Sequence, residues 1–233
     1  MKIKLVYLLC IFSLFSILGF VLANRIGAVF TPAKPVQAAS FYSPTANLDL
    51  NQKKLLIVTV DDLTSTSPQL ASVWVGIVME GNPPSITWKA IYPSPSKKAF
   101  GLSLVENFSL NEQKELTYEF LDYLSSNEIY FDGYLVSDYF ALGKIKESMN
   151  IQEIEINPQT TDTPDQMQIV LAQQAAFISE ACNAMGSSIQ ALPVAELIPL
   201  HLHFEMEANV MMKVLNQLSA KASQLRCEIV PLE

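Results

Sequence analysis

Leu5 to Ala23 is an unbroken run of nineteen residues without a charge, and it divides the chain before any fold is considered. As a helix it is about 28 Å long, close to the roughly 30 Å hydrocarbon core of a bilayer. Lys2 and Lys4 precede the run and Arg25 and Lys34 follow it, a bias that favours the N-terminus inside and the remainder outside. Two readings stand. The run is a retained anchor, or it is a signal peptide cleaved near Val21-Leu22-Ala23 or Val36-Gln37-Ala38, where small residues meet the needs of a peptidase. Its length exceeds the roughly 7–15 apolar residues of a signal peptide and favours the anchor. Cys10, preceded by Tyr7-Leu8-Leu9, lacks the small neighbours of a lipid-attachment site and reads as one more apolar membrane residue. The expectation is a single-pass protein of the cell membrane, attached through residues 5–23, with its C-terminal domain extracytoplasmic. Cleavage and secretion is the alternative.

With Lys2 and Lys4 set aside, 13 basic residues face 23 acidic ones, a formal charge of −10. Such a surface does not release counterions from nucleic acid, nor is it drawn to anionic lipid, so attachment rests on the apolar run alone. Half the chain is hydrophobic and 16% is charged, too apolar for a disordered protein. Residues 26–48 are rich in Pro, Ala, Ser and Thr without periodicity and read as a linker after the segment 1–25. Residues 49–233 then suffice for one domain.

Lys54 to Val60 is a continuous apolar run, as in a strand covered on both faces, and it ends in Asp61-Asp62. Ala71–Met79 and Ser85–Tyr92 read as a hairpin turned by Gly81-Asn82-Pro83-Pro84. Pro93-Ser94-Pro95-Ser96 breaks the sheet and leads into a long loop. Helical spacing appears over Asn111–Leu124, Tyr139–Met149 and Pro164–Met185, the last begun at Thr163-Pro164 and stopped by Gly186. Shorter helical stretches are read over Pro193–Leu200 and Met206–Leu218. Gly133–Val136, Ile151–Ile156, His201–Phe204 and Cys227–Val230 read as short strands. Interleaved strands and helices predict an α/β domain with helices on both faces of a sheet.

Asp61 and Asp62 follow the most buried-looking strand, where ligands of open α/β sheets gather, and paired carboxylates suit magnesium. The plainer reading is a turn, since aspartates cap turns before sequences such as Leu63-Thr64-Ser65-Thr66. His201 and His203 lie two apart, on one face of an extended segment, and with Glu205 or Glu207 would make part of a metal site. A pair of exposed strand histidines is the alternative. Cys182 and Cys227 either pair, in an oxidising compartment, or are unrelated thiols. Lys97-Lys98 is the compact basic spot of the domain, a solvated loop or a phosphate contact near Asp61-Asp62. Arginine is nearly absent, with only Arg25 and Arg226, so the usual bidentate phosphate clamp is missing. There is no C-x-x-C, no Gly-rich phosphate loop and no G-x-S-x-G.

The order of these segments resembles the LytR–CpsA–Psr family. A short inside tail, one apolar span and a linker lead to Leu55-Leu56-Ile57-Val58-Thr59-Val60-Asp61-Asp62, similar to that family's opening strand. Ala71-Ser72-Val73-Trp74-Val75 and Ile86-Thr87-Trp88-Lys89-Ala90-Ile91-Tyr92-Pro93 are similar to its next two strands, and Phe131 to Leu142 to its central strand and helix. The resemblance spans about residues 53–220. It implies a three-layer α-β-α sandwich preceded by one transmembrane helix. It also implies transfer of glycopolymers from a polyprenyl pyrophosphate carrier to the cell wall, with the lipid in an apolar tunnel and arginines, aspartates and magnesium at the pyrophosphate. Asp61 or Asp62 corresponds to the family's first acidic position. Its second-strand arginine and aspartate fall near Leu70 and Ala71, its Pro-Arg-Asp becomes Pro93-Ser94-Pro95, and its helix arginines fall at Asp165, Gln166 and their neighbours. Loss of those arginines removes the charge that compensates a pyrophosphate. The resulting expectation is a non-catalytic domain binding a polyprenyl-phosphate-linked or other envelope ligand, an envelope glycan or a protein partner. Two alternatives remain: a divergent magnesium-dependent transferase using Asp61, Asp62, Lys97 and Lys98, and a structural envelope protein filled by its own side chains.

Overall fold

The computed structural model describes residues 52–151, 163–188, 194–198, 200–206 and 225–230. The apolar run 5–23, the linker, most of the strand read at 151–156 and the helix read after Met206 lie outside the described residues.

β1 (Gln52–Val60) lies inside the sheet because Leu55 to Val60 carries apolar or β-branched side chains to both faces. It pairs antiparallel with β2 (Leu70–Met79) and parallel with β4 (Gly133–Asp138). β3 (Ser85–Tyr92) continues from β2, β5 (Leu202–Met206) pairs antiparallel with β4, and β6 (Arg226–Val230) pairs parallel with β3. The order across the mixed sheet is β5-β4-β1-β2-β3-β6. The hairpin and the short strands read at Gly133–Val136, His201–Phe204 and Cys227–Val230 stand close to the bounds expected of them.

Alternation along the strands decides what each face carries. Leu56, Val58 and Val60 share one face with Val73, Val75 and Val136, and pack beneath α1 (Lys98–Asn107) and α2 (Tyr118–Ser126) through Leu104, Phe120 and Leu124. Phe120 is fully buried, a placement that contributes about 1.5–3 kcal/mol. Ile57, Trp74 and Leu135 point to the opposite face, beneath α3 (Tyr139–Ser148) and α4 (Pro164–Ser188). α5 (Val194–Leu197) adds Leu197 to a small cluster with Ala141 and Leu202. The domain is α/β with helices on both faces.

Three expectations need correction. The stretch after Pro93-Ser94-Pro95-Ser96 is not a loop: a 3-10 turn over Pro95–Lys97 runs straight into α1. Gly101 within α1 lies against the Tyr92 ring, where a Cβ would stand 3.3 Å from the ring edge. The helix expected from Asn111 begins only at Tyr118. Asn111 Oδ1 accepts from the backbone N–H of Gln113 and of Glu115, and Lys114 has a φ of 65°, so this segment turns. The Thr117 hydroxyl then caps α2 by accepting from Phe120 N. Finally, α4 runs through Gly186 to Ser188, since glycine weakens a helix without necessarily ending it.

Candidate functional site

Val60 and Asp138 are register partners at the carboxyl ends of the parallel strands β1 and β4, so Asp61, Asp62 and Asp138 gather at one end of the sheet. Asp61 Oδ1 accepts from Asp62 N and from Gln69 N, both at 2.7 Å, and closes the β1–β2 loop. Asp62 Oδ1 accepts from Thr64 Oγ1 at 2.6 Å and Thr64 N at 2.8 Å. Those bonds hold the Asp62 carboxyl below the ordinary carboxylate range, and the charges of His201 and Lys114 add to the effect. Both aspartates act as turn formers.

Asp138 is the residue of this cluster that sequence reasoning passed over. It is 1% exposed. Its Oδ1 caps α3 by accepting from Ala141 N at 2.8 Å, while Oδ2 accepts from Leu63 N at 3.3 Å and from His201 Nδ1 at 2.7 Å. A carboxylate only accepts, so the proton of this hydrogen bond sits on His201 Nδ1. The His201 ring lies 4.2 Å from that of Phe140. The aspartate at a strand-to-helix junction was a legible capping signal; its histidine partner, 63 residues away, was not.

Magnesium does not fit this cluster well. Asp61 and Asp62 each commit an oxygen to backbone donors, both Asp138 oxygens are engaged, and no group of three metal-ligating side chains occurs among the described residues. His203 does not join His201 in a metal site with Glu205, because Glu205 Oε2 accepts the Tyr134 hydroxyl at 2.6 Å; Glu207 lies outside the described residues. Burial holds the His203 imidazole below its ordinary pKa, with Glu115 and Glu205 opposing.

Between the sheet and α4 lies an apolar cavity of about 180 Å³. α4 supplies Val170, Gln173, Gln174, Phe177, Ile178 and Ala181, the spacing of one helix face. The sheet supplies Ile57, Thr59, Ser72, Trp74, Trp88 and Leu135, and α3 supplies Tyr139 and Leu142. Trp74 is oriented by donating Nε1–H to Gln174 Oε1 at 2.9 Å. Trp88 lies flat across Gly76, where any Cβ would stand 2.8 Å from its ring. The Tyr139 phenol is pushed up to about 12, first by burial and then by the charge of Asp61. None of these lining residues was singled out in the sequence as part of a site.

Lys97 is elsewhere. With Lys89, Ser94 and Glu128 it lines a polar cavity of about 420 Å³ on the α1–α2 side, which shares no residue with the apolar one. Lys98 lines neither cavity, and the positive groups acting on Asp62 are His201 and Lys114. Cys182 of α4 and Cys227 of β6 are joined in a disulfide, Cα to Cα 6.1 Å, and Trp88 Nε1 stands 3.3 Å from Cys182 Sγ.

Fold and site together define an α/β domain with an apolar cavity under the longest of its described helices and an acidic, histidine-containing strand end. The chain matches no family model and no curated protein. Among solved structures it is similar to the LytR-Csp2A-Psr enzyme from Actinomyces oris, at 11% identity over 82% of this chain and 85% of that one, TM-score 0.48. It is also similar to protein gbs0355 from Streptococcus agalactiae, at 9% identity over 85% and 80%, TM-score 0.47. A third is TagV from B. subtilis, at 9% identity over 78% and 85%, TM-score 0.45. At such identities and scores, activity has to be derived from this chain's own residues.

Proposed function

We propose that the chain is a membrane-anchored, extracytoplasmic LytR–CpsA–Psr-like domain without catalytic activity, which binds the apolar part of a cell-envelope ligand, polyprenyl-linked or otherwise. The observation that carries this reading is the cavity under α4. A purely structural domain would fill that space with its own side chains, since interiors close-pack and voids cost stability. Here two indoles and a phenyl ring line a chamber instead.

The transferase alternative has less support. It needs phosphate-binding cations beside Asp61 and Asp62 at the end of the apolar cavity. Lys97 lines the other cavity, Lys114 beside Asp62 gives its ammonium to the Ser65 carbonyl at 2.8 Å, and the one arginine among the described residues, Arg226, is exposed on β6. The test is native extraction of the full-length protein followed by lipid mass spectrometry. An envelope lipid co-purifying in stoichiometric amount is the expected result, and a Phe177→Trp variant that fills the cavity loses it. A well-folded protein free of lipid, whether from membranes or after incubation with envelope extract, rejects the reading in favour of a scaffold.

A further inference from the structure

Thr59 is the register partner of Ser72 on β2 and of Ser137 on β4, so three hydroxyls stand in one row across the sheet on the α4 face. All three residues are buried. Ser137 Oγ has no hydrogen-bond partner among the described residues. Thr59 and Ser72 line the cavity, where neither hydroxyl meets a hydrogen-bonding partner among the described residues. Buried hydroxyls are nearly always satisfied, and three neighbours left open call for an outside partner. Trp74 and Leu135 lie two residues further along the same strands, one repeat into the apolar part.

The polar end of the cavity is also uncharged. Among the described residues no lysine, arginine or histidine lines it, and the charge that reaches Tyr139 at its edge is the negative one of Asp61. An anionic head would meet the charge of Asp61 without a counter-charge among these lining residues, whereas a neutral hydroxyl or carbonyl would complete the open hydrogen bonds. The volume, about 180 Å³, slightly exceeds the roughly 150 Å³ of an apolar cavity that takes a benzene molecule. It suits one short apolar segment.

We infer that the cavity holds the head-proximal end of an uncharged lipid, its hydroxyl or carbonyl on the Ser72–Thr59–Ser137 row and its first apolar segment against Trp74. The inference rests on reading the cavity as a ligand site, and it names the class of ligand.

Trp74 and Trp88 are the only tryptophans of the chain and both line the cavity, so intrinsic fluorescence reports its occupancy. The full-length protein in amphipol is titrated with geraniol, geranyl pyrophosphate and the hydrocarbon myrcene, ten-carbon tails that differ in head. Geraniol is expected to bind at least 10-fold more tightly than the pyrophosphate and about 5-fold more tightly than myrcene, the worth of one hydrogen bond. Thr59→Val and Ser72→Ala, singly and together, are expected to erase the preference over myrcene while myrcene binding stays. Ser137→Ala is a second route should the pair impair folding. Pyrophosphate binding equal to or tighter than geraniol overturns the inference and leaves the ligand-site reading intact. Equal binding of geraniol and myrcene overturns it as well, assigning the row to water. Binding of none of the three rejects the ligand-site reading itself.

Discussion

Asp138 joins three separate parts of the chain through one carboxylate: the start of α3, the β1–β2 loop at Leu63 and the segment before β5 at His201. Because the group is buried, these donors have no water to replace it. Asp138→Ala is expected to destabilise the domain by about 2–4 kcal/mol, combining a lost cap with a lost charge-assisted bond, read as a lower urea midpoint. Asp138→Asn, which keeps one acceptor, is expected to lose less. His203 sets a pH dependence of definite sign. Its folded pKa lies below its ordinary value of 6.5 because burial disfavours the imidazolium. The unfolded chain therefore binds the proton more readily. The stabilising contribution is fully present above about pH 6.5 and is lost as pH falls toward and through the depressed value. A His203→Gln variant should show a flatter urea midpoint below pH 6.5, and an unchanged slope would reject this assignment.

At the scale of elements, α4 is the roof of the cavity, and its attachment governs how far that roof moves. The Cys182–Cys227 bridge closes 45 residues and ties the C-terminal half of α4 to β6 at the sheet edge. In the chain-entropy model a loop of that length contributes about 4 kcal/mol. Non-reducing mass mapping is expected to find both cysteines joined, and the Cys182→Ser, Cys227→Ser double variant to lose stability of that order. Free thiols in protein from oxidising conditions would contradict it. The helix of α1 and the turn before α2 show why element bounds were partly illegible. A Pro-Ser-Pro-Ser break masks a helix that starts at once behind it. Asn111, whose side chain satisfies the N–H groups of Gln113 and Glu115, withholds helix from a segment with helical spacing. Both outcomes depend on which backbone donors find side-chain partners, a choice that periodicity does not record.

For the molecule as a whole, the two cavities share no lining residue, and Lys97 belongs to the polar one. Exchange of Asp61 and Asp62 for alanine is therefore expected to leave glycopolymer attachment to the cell wall unchanged, measured as wall-bound polymer in cells that carry only the variant. A loss of attachment with the protein still folded and abundant would restore the transferase reading. The sequence by itself determined the α/β class, the central strand, the β2–β3 hairpin and the long helix, because alternation, continuous apolar runs and proline positions are local signals. It also determined the scarcity of arginine, and with it the weakness of any phosphate site. Tertiary structure alone decided which side chains meet. The Asp138–His201 pair and the hydroxyl row across β2, β1 and β4 arise from strand register and from the face each strand residue presents. Register is a relation between segments distant in sequence, set by packing of the whole sheet against its helices, and no local pattern contains it.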